Sequence, residues 1–239
     1  MPPLLPLFAH RLAHALQQQI CRLPSRCLLC SAQSCGLLCA HCADELPVNL
    51  GACPRCALPQ CQFTECPNCQ KHPPAFAKAV APYSYQAPLA GLINRWKHRG
   101  DQRLLPFLAP QLLGYLRAAY AHDDWPQRLV PVPVSTAKRM QRGFNQTEQL
   151  ARCLGGALGI GATATLLGRR QGQSQQGLGR RARLKNLQQQ FYITGPAPAA
   201  HLALVDDVMT TGATAATLAK ILQDAGAKRV DIWMIARTP

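Results

Sequence analysis

The chain is 239 residues long and 48% hydrophobic, enough for one sizeable core and an appendage. Its 26 Lys and Arg outweigh 11 Asp and Glu, and the formal charge of +15 points to phosphorylated ligands or polyanions as partners. No stretch has the length and apolarity of a membrane span, which excludes helical channels and transporters and leaves a soluble, cytoplasmic protein as the expectation.

Residues 1–24 open the chain as a short amphipathic helical segment. Its apolar start is broken by His10, Arg11 and His14 and lacks a preceding basic stretch, so it does not read as a signal peptide. Residues 25–73 then concentrate the cysteines. Eleven of the twelve lie between Cys21 and Cys69, and eight of these form the C-x-x-C pairs Cys27/Cys30, Cys39/Cys42, Cys53/Cys56 and Cys66/Cys69. Two intervening residues let both sulfurs of a tight turn face one ion, so four pairs predict two structural zinc sites with four thiolates each. Sequential use of the pairs closes the shorter loops, at lower entropic cost than interleaving. A disulfide framework would need a secretory context that the N-terminus does not supply. Cys21, Cys35, Cys61 and Cys153 are left over, the last expected as a small core residue.

His72-Pro73-Pro74 marks the boundary to a second domain, residues 74–239. Here strands and helices alternate. Ala79–Tyr85 reads as a strand, Leu89–His98 as a helix, and Leu104–Tyr120 as a helix interrupted near Pro106 and Pro110. Leu129–Val134 is a buried strand, Thr147–Leu158 a helix, Leu187–Ile193 a strand approach, and Lys228–Ala236 a closing strand. This alternation predicts an α/β fold, a parallel sheet with helices on both faces and ligands at its carboxyl ends.

The most informative tract is Leu202–Thr214. Leu202–Val205 predicts a buried strand and Ala215–Leu222 a helix, with Asp206, Asp207, Val208, Met209, Thr210, Thr211, Gly212, Ala213 and Thr214 between them. Gly212 permits a turn that aims successive N–H groups at one anion, and three threonine hydroxyls add donors. Two carboxylates cannot serve a phosphate; vicinal sugar hydroxyls or a magnesium ion are their natural partners. Pro131–Gln146 adds Lys138, Arg139 and Arg142, with the amides Asn145 and Gln146, a set suited to a polyphosphate. Residues 138–185 hold ten cations, Arg169, Arg170, Arg180, Arg181, Arg183 and Lys185 among them, against Glu148 alone. Phe144, Trp96 and Tyr192 are candidates for base stacking.

The apolar strand, paired acids and T-T-G-x-T sequence resemble the phosphoribosyl pyrophosphate (PRPP) loop of type I phosphoribosyltransferases. Together with the cysteine pairs, Lys97-His-Arg-Gly-Asp101, Arg142-Gly-Phe-Asn-Gln146 and the Gln175, Leu178, Arg183, Asn186 loop, the chain resembles the ComF family of competence and DNA-utilisation proteins. That resemblance implies a type I phosphoribosyltransferase-like domain behind a double zinc ribbon, with residues 169–186 in place of the mobile hood. It also implies PRPP with magnesium as ligand, single-stranded DNA and proteins of the competence machinery as partners, and a role in DNA uptake or utilisation. The alternative is a salvage phosphoribosyltransferase that joins PRPP to a nitrogenous base. No segment identifies an acceptor base.

Overall fold

The computed structural model describes residues 25–62, 64–170 and 189–239. The helical segment expected over 1–24, and Gln175, Leu178, Arg180, Arg181, Arg183, Lys185 and Asn186 of the expected hood, lie outside the described residues.

The cysteine-rich part holds a short antiparallel pair, β1 (Ser25–Arg26) and β2 (Gln33–Ser34), and two one-turn helices, α1 (Ala40–Asp44) and α2 (Pro67–Lys71). Each helix begins directly after a cysteine, Cys39 or Cys66. Pro67 occupies the first helical position, where its missing N–H costs nothing.

A parallel sheet follows. Its outer strand is split into β3 (Ala79–Val80) and β4 (Tyr83–Ser84), both paired with β9 (Arg229–Arg237); β9 pairs with β8 (His201–Met209), and β8 with β5 (Arg128–Pro131). The expected continuous strand 79–85 thus breaks at Ala81-Pro82, where proline withholds a ladder donor. The remaining helices are α3 (Leu89–Arg99), α4 (Leu105–Ala119), α5 (Thr136–Arg142), α6 (Gln146–Leu158) and α7 (Ala213–Asp224). A separate antiparallel ribbon joins β6 (Leu167–Arg169) and β7 (Phe191–Ile193).

Period-two alternation divides the core. Ala203, Val205, Trp233 and Ile235 pack with Ile93, Leu108, Leu112 and Leu150 of α3, α4 and α6. Leu202, Leu204, Ile232 and Met234 pack with Leu218 and Leu222 of α7. Both faces of the sheet are therefore covered, as continuous apolar strands require.

The cysteine-rich segment straddles this sheet. Cys27, Leu38, Ala43 and Leu46 join the core on the α3 side, whereas Cys53, Cys56, Cys66 and Cys69 join the core on the α7 side. The connecting chain crosses the outer strand: Val48 bridges Tyr83, Asn49 N–H donates to the Pro82 carbonyl at 2.8 Å, and the buried Asn49 amide donates to Ala57 and Ala81 carbonyls.

At the amino ends of β8 and β9 lies a buried polar network. The fully buried Asp231 accepts from Tyr120 Oη at 2.7 Å and Arg229 Nε at 3.1 Å and meets His201 Nε2 at 2.8 Å. Arg229 also forks onto Asp123, which Lys78 reaches at 2.7 Å.

Two sequence readings need correction. Cys153 is exposed on α6 and is not a core residue. Helix α4 runs through Pro110 without a break, with Pro106 absorbed in its first turn. The basic tract 136–142 is helical, capped by the Ser135 hydroxyl and stopped by Gly143.

Candidate functional site

Strand β8 runs beyond Val205, because Asp206, Val208 and Met209 still find backbone partners on β9. The acids therefore sit on extended chain, and alternation sends them to opposite sides: Asp207 to the α3 and α6 side, Asp206 to the α7 side. The turn is correspondingly short. Thr210 and Thr211 are exposed, Gly212 takes φ +79°, and α7 begins at Ala213, leaving Thr214 in its first turn. The Thr211 hydroxyl accepts from Ala213 N–H at 3.3 Å, and the Met209 sulfur lies beneath Gly212.

Asp207 is buried and doubly held. Lys97 Nζ meets Oδ1 at 2.8 Å and Gln146 Nε2 donates to Oδ2 at 2.7 Å; Arg142 in turn donates to the Gln146 amide oxygen at 3.2 Å. Desolvation, with the neighbouring Asp207 carboxylate, pushes the Asp206 acid up to about 7. The charge of Asp206 is felt at Arg169, whose own burial lowers its pKa. Desolvation, reinforced by Arg169, Arg142 and Lys97, lowers that of Lys138. Four cations from α3, α5 and β6 thus surround two carboxylates beside the threonine-rich turn.

The other expected binding residues are placed as follows. Arg139 lies next to Glu148 at 3.7 Å, and Arg152 shares that carboxylate. Arg170 stands 5.6 Å from the centre of the Tyr192 ring. Tyr192 is 42% exposed and lies over Gly168, where any side chain would collide with the ring. Trp96 is fully buried and Phe144 is half-buried against Gly100, so Tyr192 is the exposed one of the three aromatic candidates. Asp101 serves α3 itself: Arg95 and Arg103 pair with it at 2.6 and 2.8 Å and hold its carboxyl well below the usual carboxylate range.

Residue-type reasoning left two site neighbours unassigned. Lys97 appeared in a motif without a role; its place in the last turn of a helix whose apolar face is buried was the available signal. Arg237, a cation closing a strand that is apolar from Ile232 to Ala236, gave no local pattern at all.

The eight paired cysteines form two clusters, Cys27, Cys30, Cys39, Cys42 and Cys53, Cys56, Cys66, Cys69, in the sequential grouping. Within each, the four sulfurs lie within 4.8 Å of one another, so each set could hold a metal ion. Burial at Cys27 is outweighed by backbone N–H groups, which bring its thiol down to about 6. Hydrogen bonding to Cys30 pushes Cys42 up to about 12, and burial pushes Cys56 up to about 11. Cys35 and Cys61 stand outside both clusters. Among the described residues no helix is long and apolar enough to cross a membrane.

A parallel sheet covered by helices on both faces, with two carboxylates and a T-T-G-A-T turn at the carboxyl end of a central strand, defines an α/β protein with a polar site at the carboxyl end of its sheet. The chain is 32% identical to the DNA utilization protein YhgH of Salmonella typhimurium over 222 residues, 90% of this chain and 98% of that protein. It is 31% identical to competence protein F of Haemophilus influenzae, covering 83% of this chain and 84% of that one. Competence protein ComFC of Streptococcus pneumoniae is 29% identical over 88% and 91%. The chain belongs to the ComF family of competence and DNA-utilisation proteins. No family model matches the chain. Among solved structures, a purine phosphoribosyltransferase from Pyrococcus horikoshii aligns with a TM-score of 0.33 at 20% identity, over 57% of this chain and 72% of that one.

Proposed function

We propose that the protein binds PRPP as its magnesium complex at the β8–α7 turn and engages single-stranded DNA on the adjoining basic surface, as a cytoplasmic DNA-uptake or DNA-utilisation factor. The observation that carries this reading is the juxtaposition of Lys97, Lys138, Arg142 and Arg169 with Asp206 and Asp207 beside the threonine-rich turn. The turn N–H groups and hydroxyls of Thr210–Thr214 would take the 5-phosphate. Asp206 and Asp207 would take the ribose hydroxyls, and Lys138 with Arg142 the pyrophosphate. Magnesium, when bound with PRPP, would neutralise part of the pyrophosphate charge. Lys97 then acts as a placeholder, keeping Asp207 oriented until sugar hydroxyls compete for its oxygens.

Zinc suits both cysteine clusters, since four thiolates in a closed set favour a soft tetrahedral ion and leave no open position for catalysis. Tyr192 under Arg170 supports base stacking. A groove of about 370 Å³ lies between Leu28 and Leu29, next to the first cluster, and the Arg95, His98, Arg99 edge of α3.

Calorimetric titration of PRPP with magnesium tests the ligand. Saturable binding that is lost in Asp206→Asn/Asp207→Asn is expected; unchanged affinity in that variant refutes the site. Single-stranded DNA affinity should fall steeply with salt. Release of pyrophosphate from labelled PRPP with any base in an acceptor screen would favour a transferase over a binder. Elemental analysis should return about two zinc ions per chain.

A further inference from the structure

Arg237 ends β9 and is only 7% exposed, yet no carboxylate lies within salt-bridge reach of it among the described residues. Its guanidinium donates to main-chain carbonyls. Nε reaches Cys56 O at 3.2 Å; Nη1 reaches Met209 O at 3.3 Å, Thr238 O at 2.6 Å, and Thr210 O in a short contact. One planar group therefore joins the second cysteine cluster to the two residues that enter the phosphate turn. The backbone reinforces the joint, because Thr238 N–H also donates to Met209 O at 3.0 Å and Tyr85 N–H to Arg237 O at 2.8 Å. A buried cation held by neutral carbonyls still needs a counter-charge. Four thiolates around a divalent ion carry a net charge of about −2, and that cluster shares the α7-side core with Met209. Among the described residues the first cluster has no such link; Cys27, Cys39 and Cys42 pack in the core on the α3 side.

We propose that Arg237 is a positioning residue that fixes the phosphate turn to the second cysteine cluster, so that metal at Cys53, Cys56, Cys66 and Cys69 sets the rigidity of residues 209–214 and their hold on a phosphorylated ligand. The affinity part rests on PRPP binding at this turn; the rigidity part does not. The guanidinium fork spans two segments that a lysine, with one point of charge, cannot bridge in the same way.

Hydrogen exchange by mass spectrometry on the full-length, ligand-free protein tests the proposal. Arg237→Gln and Cys66→Ser/Cys69→Ser should each speed exchange at 209–214 about tenfold, while strand amides 202–205 stay protected. Arg237→Lys should fall between wild type and Arg237→Gln. Cys30→Ser/Cys42→Ser, which also removes one metal, should leave the turn within about twofold of wild type. Equal loosening by both cluster variants, unchanged exchange in Arg237→Gln, or loss of protection spreading equally into 202–205 would overturn it. PRPP titration of the same proteins separates the two readings: wild type that fails to bind PRPP rejects the ligand while the exchange data still decide the coupling.

Discussion

Replacing Lys97 with methionine removes the ammonium from Asp207 and keeps most of the side chain's apolar volume. The pair is largely buried, with side-chain exposures of 17% for Lys97 and 6% for Asp207, so solvent screens it little. Breaking a buried pair by deleting one partner costs roughly 3–5 kcal/mol. The lower end applies here, because Gln146 still donates to Asp207 and Asp206 can take up a proton. For a chain of this size about 3 kcal/mol lowers the melting temperature by roughly 6–12 °C. That full cost is expected near pH 8, where the Asp206 acid has lost its proton beside Asp207. Near pH 5.5 the Asp206 acid, pushed up to about 7, already carries a proton, and the drop should shrink to about half. Differential scanning calorimetry of wild type, Lys97→Met and Lys97→Arg at the two pH values is the assay. A drop below about 2 °C near pH 8, or one that grows on acidification, refutes the assignment of Lys97 as the charge that holds the acid pair.

Asp206 also predicts a pH dependence of its own. Its folded pKa lies above the unfolded one, so its contribution to stability is present at acid pH and is lost as pH rises towards about 7, while PRPP affinity should rise over the same range as the carboxylate ionises. Both trends should flatten in Asp206→Asn, read by calorimetry and titration. Asp231 has the opposite sign: its three partners overcome burial and lower its pKa, so it stabilises the fold at neutral pH and the benefit disappears as pH falls through the acid range. Asp231→Asn should cost roughly 2–4 kcal/mol in urea unfolding near neutrality and leave PRPP affinity unchanged, since the network lies at the other end of β8. Tyr192→Ala should weaken single-stranded DNA binding roughly five- to a hundredfold with the salt slope preserved, measured by fluorescence anisotropy.

The β-α alternation and the C-x-x-C spacing were legible because each follows from a local rule, side-chain period in one case and metal geometry in the other. The strand in β8 was read too short: two adjacent acids look like the start of a loop, but β9 offers backbone partners as far as Met209, and that pairing is set by tertiary context. Helix α5 was missed since its residues bury no apolar face and only the Ser135 and Gly143 caps mark it. The Thr210–Thr214 turn itself was evident from residue types. Its surroundings were not, because Lys97, Arg169 and Arg237 arrive from three elements far apart in sequence, and no periodicity announces such convergence.

The position of β9 has a consequence for how the chain must fold. Last of the described strands in sequence, it nevertheless lies between β8 and the β3/β4 edge, so the sheet cannot close until every other strand exists. On a ribosome, the cysteine-rich segment emerges long before the surfaces that receive it. Its metal ions would be captured by a module with nothing yet to dock on, and the arriving β9 would slot into place and join the two halves of the domain. Such long-range closure slows folding and leaves an open sheet edge exposed in the meantime. A chain stalled before residue 229 would display β8 unpaired on one side and is the form expected to aggregate or recruit chaperones.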